Sequence, residues 1–216
     1  EVLDTQKVGN FHLHISKIKK GSINLNDRVK AEINTERRRA IVSNHSATHL
    51  MHSALRNILG EHVQQKGSLV NEEKLRFDFS HKQKLSESEI EKIEQEVNLA
   101  ITSAEDTQII ETSIEESQKL GAIAFFGEKY GDQVRVLKIA GDYSTELCGG
   151  THVKNSSEIK SFKIISETSI SSGVRRIEAI SGDLAIKDKA DNKADLVNTA
   201  ETFNVSVKDL PIFLKD

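Results

Sequence analysis

His45 and His49 stand four residues apart in Asn44-His45-Ser46-Ala47-Thr48-His49, a spacing that on a helix stacks two imidazoles on one face within reach of a single ion. Eight histidines in 216 residues give roughly 0.3 such pairs by chance, so this pair alone is weak. A second motif, Leu147-Cys148-Gly149-Gly150-Thr151-His152, sets the only cysteine four residues before another histidine, a match with a chance expectation of roughly 0.04. Thiolate and imidazole are the ligands zinc prefers, and the two glycines remove side chains where backbone would approach a bound substrate. The residues therefore point to one zinc ion held by His45, His49, Cys148 and His152. The ordinary alternative is an inert buried Cys148 with surface histidines. Four protein ligands would close a structural site and three would leave a catalytic position open; the sequence does not count occupied positions. Ser46 follows His45, so the glutamate of a His-Glu-x-x-His protease is missing.

The two motifs lie about 100 residues apart, so a helix and a distant loop have to be brought together. The spacing of Ala47, Leu50, Met51, Ala54, Leu55, Ile58 and Leu59 predicts a helix after Arg39 that Gly60 ends. On its wheel His45, His49, His52 and Arg56 fall opposite the Ala47/Leu50/Ala54/Ile58 face, which predicts histidines outside the core. Alternation predicts a hairpin in residues 8–33, with Phe11, Leu13 and Ile15 answered by Val29, Ala31 and Ile33 across a Lys20-Gly21-Ser22 turn. Further strands are expected at 68–70, 75–79, 108–110, 134–139, 159–165 and 174–180. Ser86 to Glu89 reads as a capping box opening a helix, Ser113 to Glu116 as a second, and 183–203 as a polar helix.

With 37% hydrophobic and 29% charged residues and no apolar run near the ~18 residues of a membrane span, a membrane segment is excluded. One cysteine makes no internal disulfide, so a reducing, cytoplasmic setting fits best. The net charge of -3 hides a gradient: residues 1–40 hold nine Lys/Arg against five acids, and 86–120 hold ten acids against two lysines. That permits a nucleic-acid partner without announcing one. The opening at Glu1 and the stop at Asp216 suggest a piece of something longer. A single proline, Pro211, leaves no stiff linker, and mixed strands and helices give an α+β class.

The sequence closely resembles the editing domain of bacterial alanyl-tRNA synthetases. The stretches that carry this are ERRRAIVSNHSATHLMHSAL at 36–55, QQKGSLVNEEKLRFDFS at 64–80, FGEKYG at 126–131, STELCGGTHV at 144–153 and GVRRIEA at 173–179. The paired His-x3-His and Cys-x3-His motifs are shared with free-standing alanyl-tRNA editing proteins and, more distantly, with the threonyl-tRNA synthetase editing domain. The resemblance implies a mixed helix and antiparallel-sheet editing body at 39–182, a partial β-barrel-like unit at 1–38 and the start of a helical linker at 183–216. It implies hydrolysis of the ester joining serine or glycine to alanine tRNA, with the remaining synthetase domains as partners and no membrane. Cys148, Gln65 and Thr48 would act at the reaction centre, Thr48 offering a hydroxyl to the misattached serine and Gln65 standing in the pocket wall. Lys66, Gly67 and Ser68 would meet the terminal nucleotide, and Arg175 and Arg176 phosphate; an exposed Arg175 with Arg176 paired to an acid is an equally good account. Rival readings are a tRNA-binding module with structural zinc, a free-standing editing protein and a redox sensor at Cys148.

Overall fold

The computed structural model describes residues 1–124 and 131–214, so most of the FGEKYG stretch (126–130) lies outside the described residues. The chain divides into two compact units, Glu1–Ile33 and Asn34–Asp216. The first is a two-stranded antiparallel ladder of β1 (Val2–Val8) and β2 (Phe11–Ser16), not a closed barrel. Residues 29–33 form no strand, which corrects the expected hairpin. The Gly9-Asn10 turn is closer, and Gly9 takes the left-handed φ of 59° that a two-residue connection needs. Val8 thus faces Phe11, and the short loop closes at less entropic cost than one reaching residue 29.

The second unit opens with α1 (Thr35–Leu59), earlier than the apolar spacing alone suggests, because Asn34 caps it by accepting from the Arg37 N–H and Glu36 sits in its first turn. The chain continues through β3 (Gln65–Val70), β4 (Leu75–Ser80), α2 (Glu87–Thr102), β5 (Gln108–Ser113) and α3 (Ile114–Lys119). It then runs through β6 (Gln133–Ile139), β7 (Ser144–Leu147), β8 (Phe162–Ser171), β9 (Val174–Ser181), α4 (Asp183–Thr202) and α5 (Leu210–Phe213). The Ser86/Glu89 box caps α2 reciprocally, whereas at α3 Ser113 accepts from the Glu116 N–H. The strand expected from residue 159 starts at Phe162 because Ser156–Ile159 closes as a 3-10 turn and Lys160 follows at φ 66°.

Two antiparallel sheets result, one in the order β3-β4-β9-β8 and one in the order β5-β6-β7. α1 touches β3, β4 and β9 of the first and β6 and β7 of the second. The one-faced helix of the sequence reading is therefore wrong in its middle: of Ser43–Leu55 all but His45 are buried, and His52 is only 1% exposed. Leu50, Met51 and Leu55 pack in one core with Phe77 and Phe79 of β4 and Ile93, Val97 and Ile101 of α2. Burying each such side chain stabilises the fold by about 1.5–3 kcal/mol. No described helix is long and apolar enough to cross a membrane.

Candidate metal centre

α1 delivers His45 and His49 to the gap between the sheets, and the turn after β7 delivers Cys148 and His152. One ligand atom from each of the four lies within 4.8 Å of the others. Cys148 Sγ stands 3.7 Å from His45 Nε2 and 3.3 Å from His152 Nε2. Bonds of 2.3 Å to sulfur and 2.1 Å to nitrogen at a tetrahedral angle would put such atoms about 3.6 Å apart. His49 Nε2 is buried with no hydrogen-bond partner, an orphan that a cation in this cluster would satisfy. Sulfur, three imidazole nitrogens and their spacing together fit zinc.

Neighbouring groups set each ligand. A carboxylate only accepts, so Glu146, 1% exposed, takes the Nδ1–H of His49 through Oε2 at 2.5 Å and that of His52 through Oε1 at 2.8 Å. Burial opposes the charges on this group, yet the His49 and His52 bonds hold the Glu146 carboxyl down at about 2. Burial likewise opposes the His49 charge, and Glu146 with Cys148 overcomes it to lift His49 to about 10. The Cys148 thiol, despite burial, is drawn down to about 3 by the three histidines. His152 is lowered to about 4, chiefly by burial.

Ser46, where a zincin carries its glutamate, is instead a buried strut: its Oγ lies 3.3 Å from His152 Nδ1 and accepts from the Val153 N–H at 3.1 Å. Arg135 of β6 holds the ligand turn from the other side, its Nη1 donating to the carbonyls of Cys148 at 2.8 Å and Gly150 at 2.7 Å. A Cβ on Gly150 would lie 2.2 Å from His45 Cε1, so only glycine lets the turn pass that ring; at Gly149 nothing stands within 4 Å.

A cavity of about 420 Å³ opens on the cluster, with His45, His49, Thr48, Gln65, Ser68, Arg135 and Cys148 among its walls. Thr48 is buried and donates its hydroxyl to the Asn44 carbonyl at 2.8 Å. The structure thus brings Thr48, Gln65 and Ser68 to the cluster. Lys66, Gly67, Arg175 and Arg176 are not among the walls. Lys66 is exposed, and Gly67 lies at a bulge of β3 against Asp78. Arg175 is buried in a two-point pair with Glu167, and Arg176 pairs with Asp78 at 2.6 and 2.8 Å. Glu146 and Arg135 escaped the sequence reading, and His52 entered it only as a member of the helix's polar face. The one signal for Glu146 was its place two residues before Cys148; Arg135 carried none.

Two sheets thus flank a histidine-bearing helix, and a Cys-x3-His turn faces it. A family model described as the threonyl and alanyl tRNA synthetase second additional domain matches residues 134–178, the part that holds Arg135, Glu146, Cys148 and His152. The chain is 54% identical over 186 residues to the alanine–tRNA ligase of Alkaliphilus metalliredigens strain QYMF, covering 86% of this chain and 21% of that protein. It is 49% identical over 210 residues to that of Alkaliphilus oremlandii strain OhILAs (97% and 24%) and 51% over 213 residues to that of Halalkalibacterium halodurans (98% and 24%). The chain belongs to the alanyl-tRNA synthetase family, in a segment that includes the second additional domain, and spans less than a quarter of the length of these curated relatives.

Proposed function

We propose that this chain hydrolyses the ester linking serine or glycine to alanine tRNA, working in the cytoplasm alongside the other domains of an alanine–tRNA ligase. The observation that supports this reading is the cluster of His45, His49, Cys148 and His152 opening on a cavity with the Thr48 hydroxyl in its wall. His45, His49, Cys148 and His152 would hold a zinc ion, which at a position not closed by a protein ligand would supply Lewis acidity toward the amino or carbonyl group of the substrate. The chain's own residues do the rest. Thr48 has committed its proton to the Asn44 carbonyl, so its oxygen accepts from the hydroxyl of a misattached serine. Alanine brings no hydroxyl to that place, and a site built to pair with a hydroxyl favours serine over a ligand that lacks it; release of glycine draws nothing from this pairing. Gln65 borders the same space, while Ser68, with Lys66 and Gly67 beside it, lines the approach of the terminal nucleotide. Arg175 and Arg176, tied to Glu167 and Asp78, reach phosphate only by giving up those partners.

The test is release of serine from serine-charged alanine tRNA by the purified chain. Cys148→Ala and His45→Ala are each expected to abolish release while the melting transition of the body persists; turnover retained in both removes the assignment. A second reading, a tRNA-binding module with structural zinc, draws on the fact that four side chains suffice to close a tetrahedral site. Tight binding of charged tRNA with no serine released would favour it.

A further inference from the structure

We propose that Glu146 is a positioning residue that dedicates His49 to the metal by gripping two imidazoles at once. The inference rests on the reading of the four-residue cluster as a metal site. Glu146 is 1% exposed, and each of its oxygens accepts one Nδ1–H, from His49 at 2.5 Å and from His52 at 2.8 Å. With hydrogen fixed on Nδ1, the lone pair of a neutral His49 lies on Nε2, the buried atom that has no hydrogen-bond partner and belongs to the cluster. His52, three residues further along α1 with its ring 5.2 Å from that of Phe77, holds the second oxygen and stops the carboxylate from turning away. Glu146 also stands two residues before Cys148, so β7 carries the group that aims one candidate ligand and leads directly into the turn that supplies another.

Glutamine at 146 separates aiming from filling. Its oxygen can accept from one imidazole, but its NH2 confronts the other Nδ1–H and forces that ring to shift its hydrogen to Nε2. Where that ring is His49, its Nε2 no longer ligates; where it is His52, a neutral oxygen replaces the carboxylate behind His49 and the imidazole loses basicity as a ligand.

The experiment measures the zinc dissociation constant of the chain and of Glu146→Gln by competition with a chromogenic chelator, beside the melting temperature of both without metal. A loss of about 10–100-fold in zinc affinity is expected. A Glu146 that merely ties α1 to β7 would lower the metal-free melting temperature and leave the affinity of the folded chain within about twofold; that result overturns the proposal. Should Glu146→Gln not fold, His52→Asn, which frees one carboxylate oxygen and keeps the His49 bond, must weaken zinc about threefold or more, and unchanged affinity overturns the proposal equally. A wild-type chain that takes up no zinc overturns it as well. Serine release is assayed separately: a chain that binds zinc with the expected Glu146 dependence but releases no serine loses the editing reading and keeps this one.

Discussion

Thr48 illustrates how one atom's prior commitment decides what it can recognise. Because its proton is engaged by Asn44, Thr48→Val removes an acceptor while keeping the shape of the wall. Hydrolysis of serine-charged tRNA is expected to fall about threefold to tenfold with glycine release unchanged, measured as initial rates on both substrates; equal losses on the two would remove Thr48 from recognition. Gly150 and Gly149 form a second contrast. Gly150→Ala drives a methyl into the His45 ring, whereas Gly149→Ala meets open space, so zinc stoichiometry by elemental analysis should drop in the first and stay near one in the second. At this scale the four-residue cluster was legible because cysteine occurs once and its spacing to His152 carries information. Glu146 was not: it is one of 33 acids in the chain, and only burial between two histidines sets it apart.

Elements place those atoms, and β6 does so with one side chain. Arg135 ties the Cys148 and Gly150 carbonyls to the sheet, so Arg135→Ala leaves two partly buried acceptors without their donor. A cost of about 1–3 kcal/mol in urea unfolding is expected, together with weaker zinc binding; unchanged values for both would mean the turn holds itself. Much of the secondary structure could be read from alternation and caps, as Ser86/Glu89 and the strands expected at 75–79, 134–139 and 174–180 show, each within one residue of the observed bounds. The failures have physical causes. Alternation cannot choose between two partners for Phe11–Ser16, and turn geometry chose the nearer. β7, four residues long, is too short for a periodic signal. The helical wheel of α1 marked a polar face correctly but not its burial, since a second sheet covers that face and satisfies it with Glu146.

For the whole molecule, the cluster makes stability without metal depend on pH. Glu146 at about 2, Cys148 at about 3 and His152 at about 4 all lie below their ordinary values of 4.5, 9.0 and 6.5. Each therefore contributes stability that fades as pH falls toward its folded value, because the unfolded chain takes up the proton first. His49, raised from 6.5 to about 10, has the opposite sign and loses its contribution as pH rises through that range. Between about 6.5 and 9 the thiolate's missing proton and the imidazolium's extra one cancel. Urea midpoints in the presence of chelator should be level across that window, decline on the acid side and decline again toward pH 10; a midpoint that climbs on acidification would contradict the charge pattern. The position of α1 also bears on how the chain is made. Leu75 pairs with Ala179 across β4 and β9, so the β3-β4-β9-β8 wall beside the helix is complete only when synthesis has passed residue 181, whereas the wall on the histidine side ends with β7 at Leu147. Until then Leu50 and Met51, whose core includes Ile177 and Ala179 of β9, emerge from the ribosome without their full cover. The nascent polypeptide thus needs shielding for longer than its modest length would suggest.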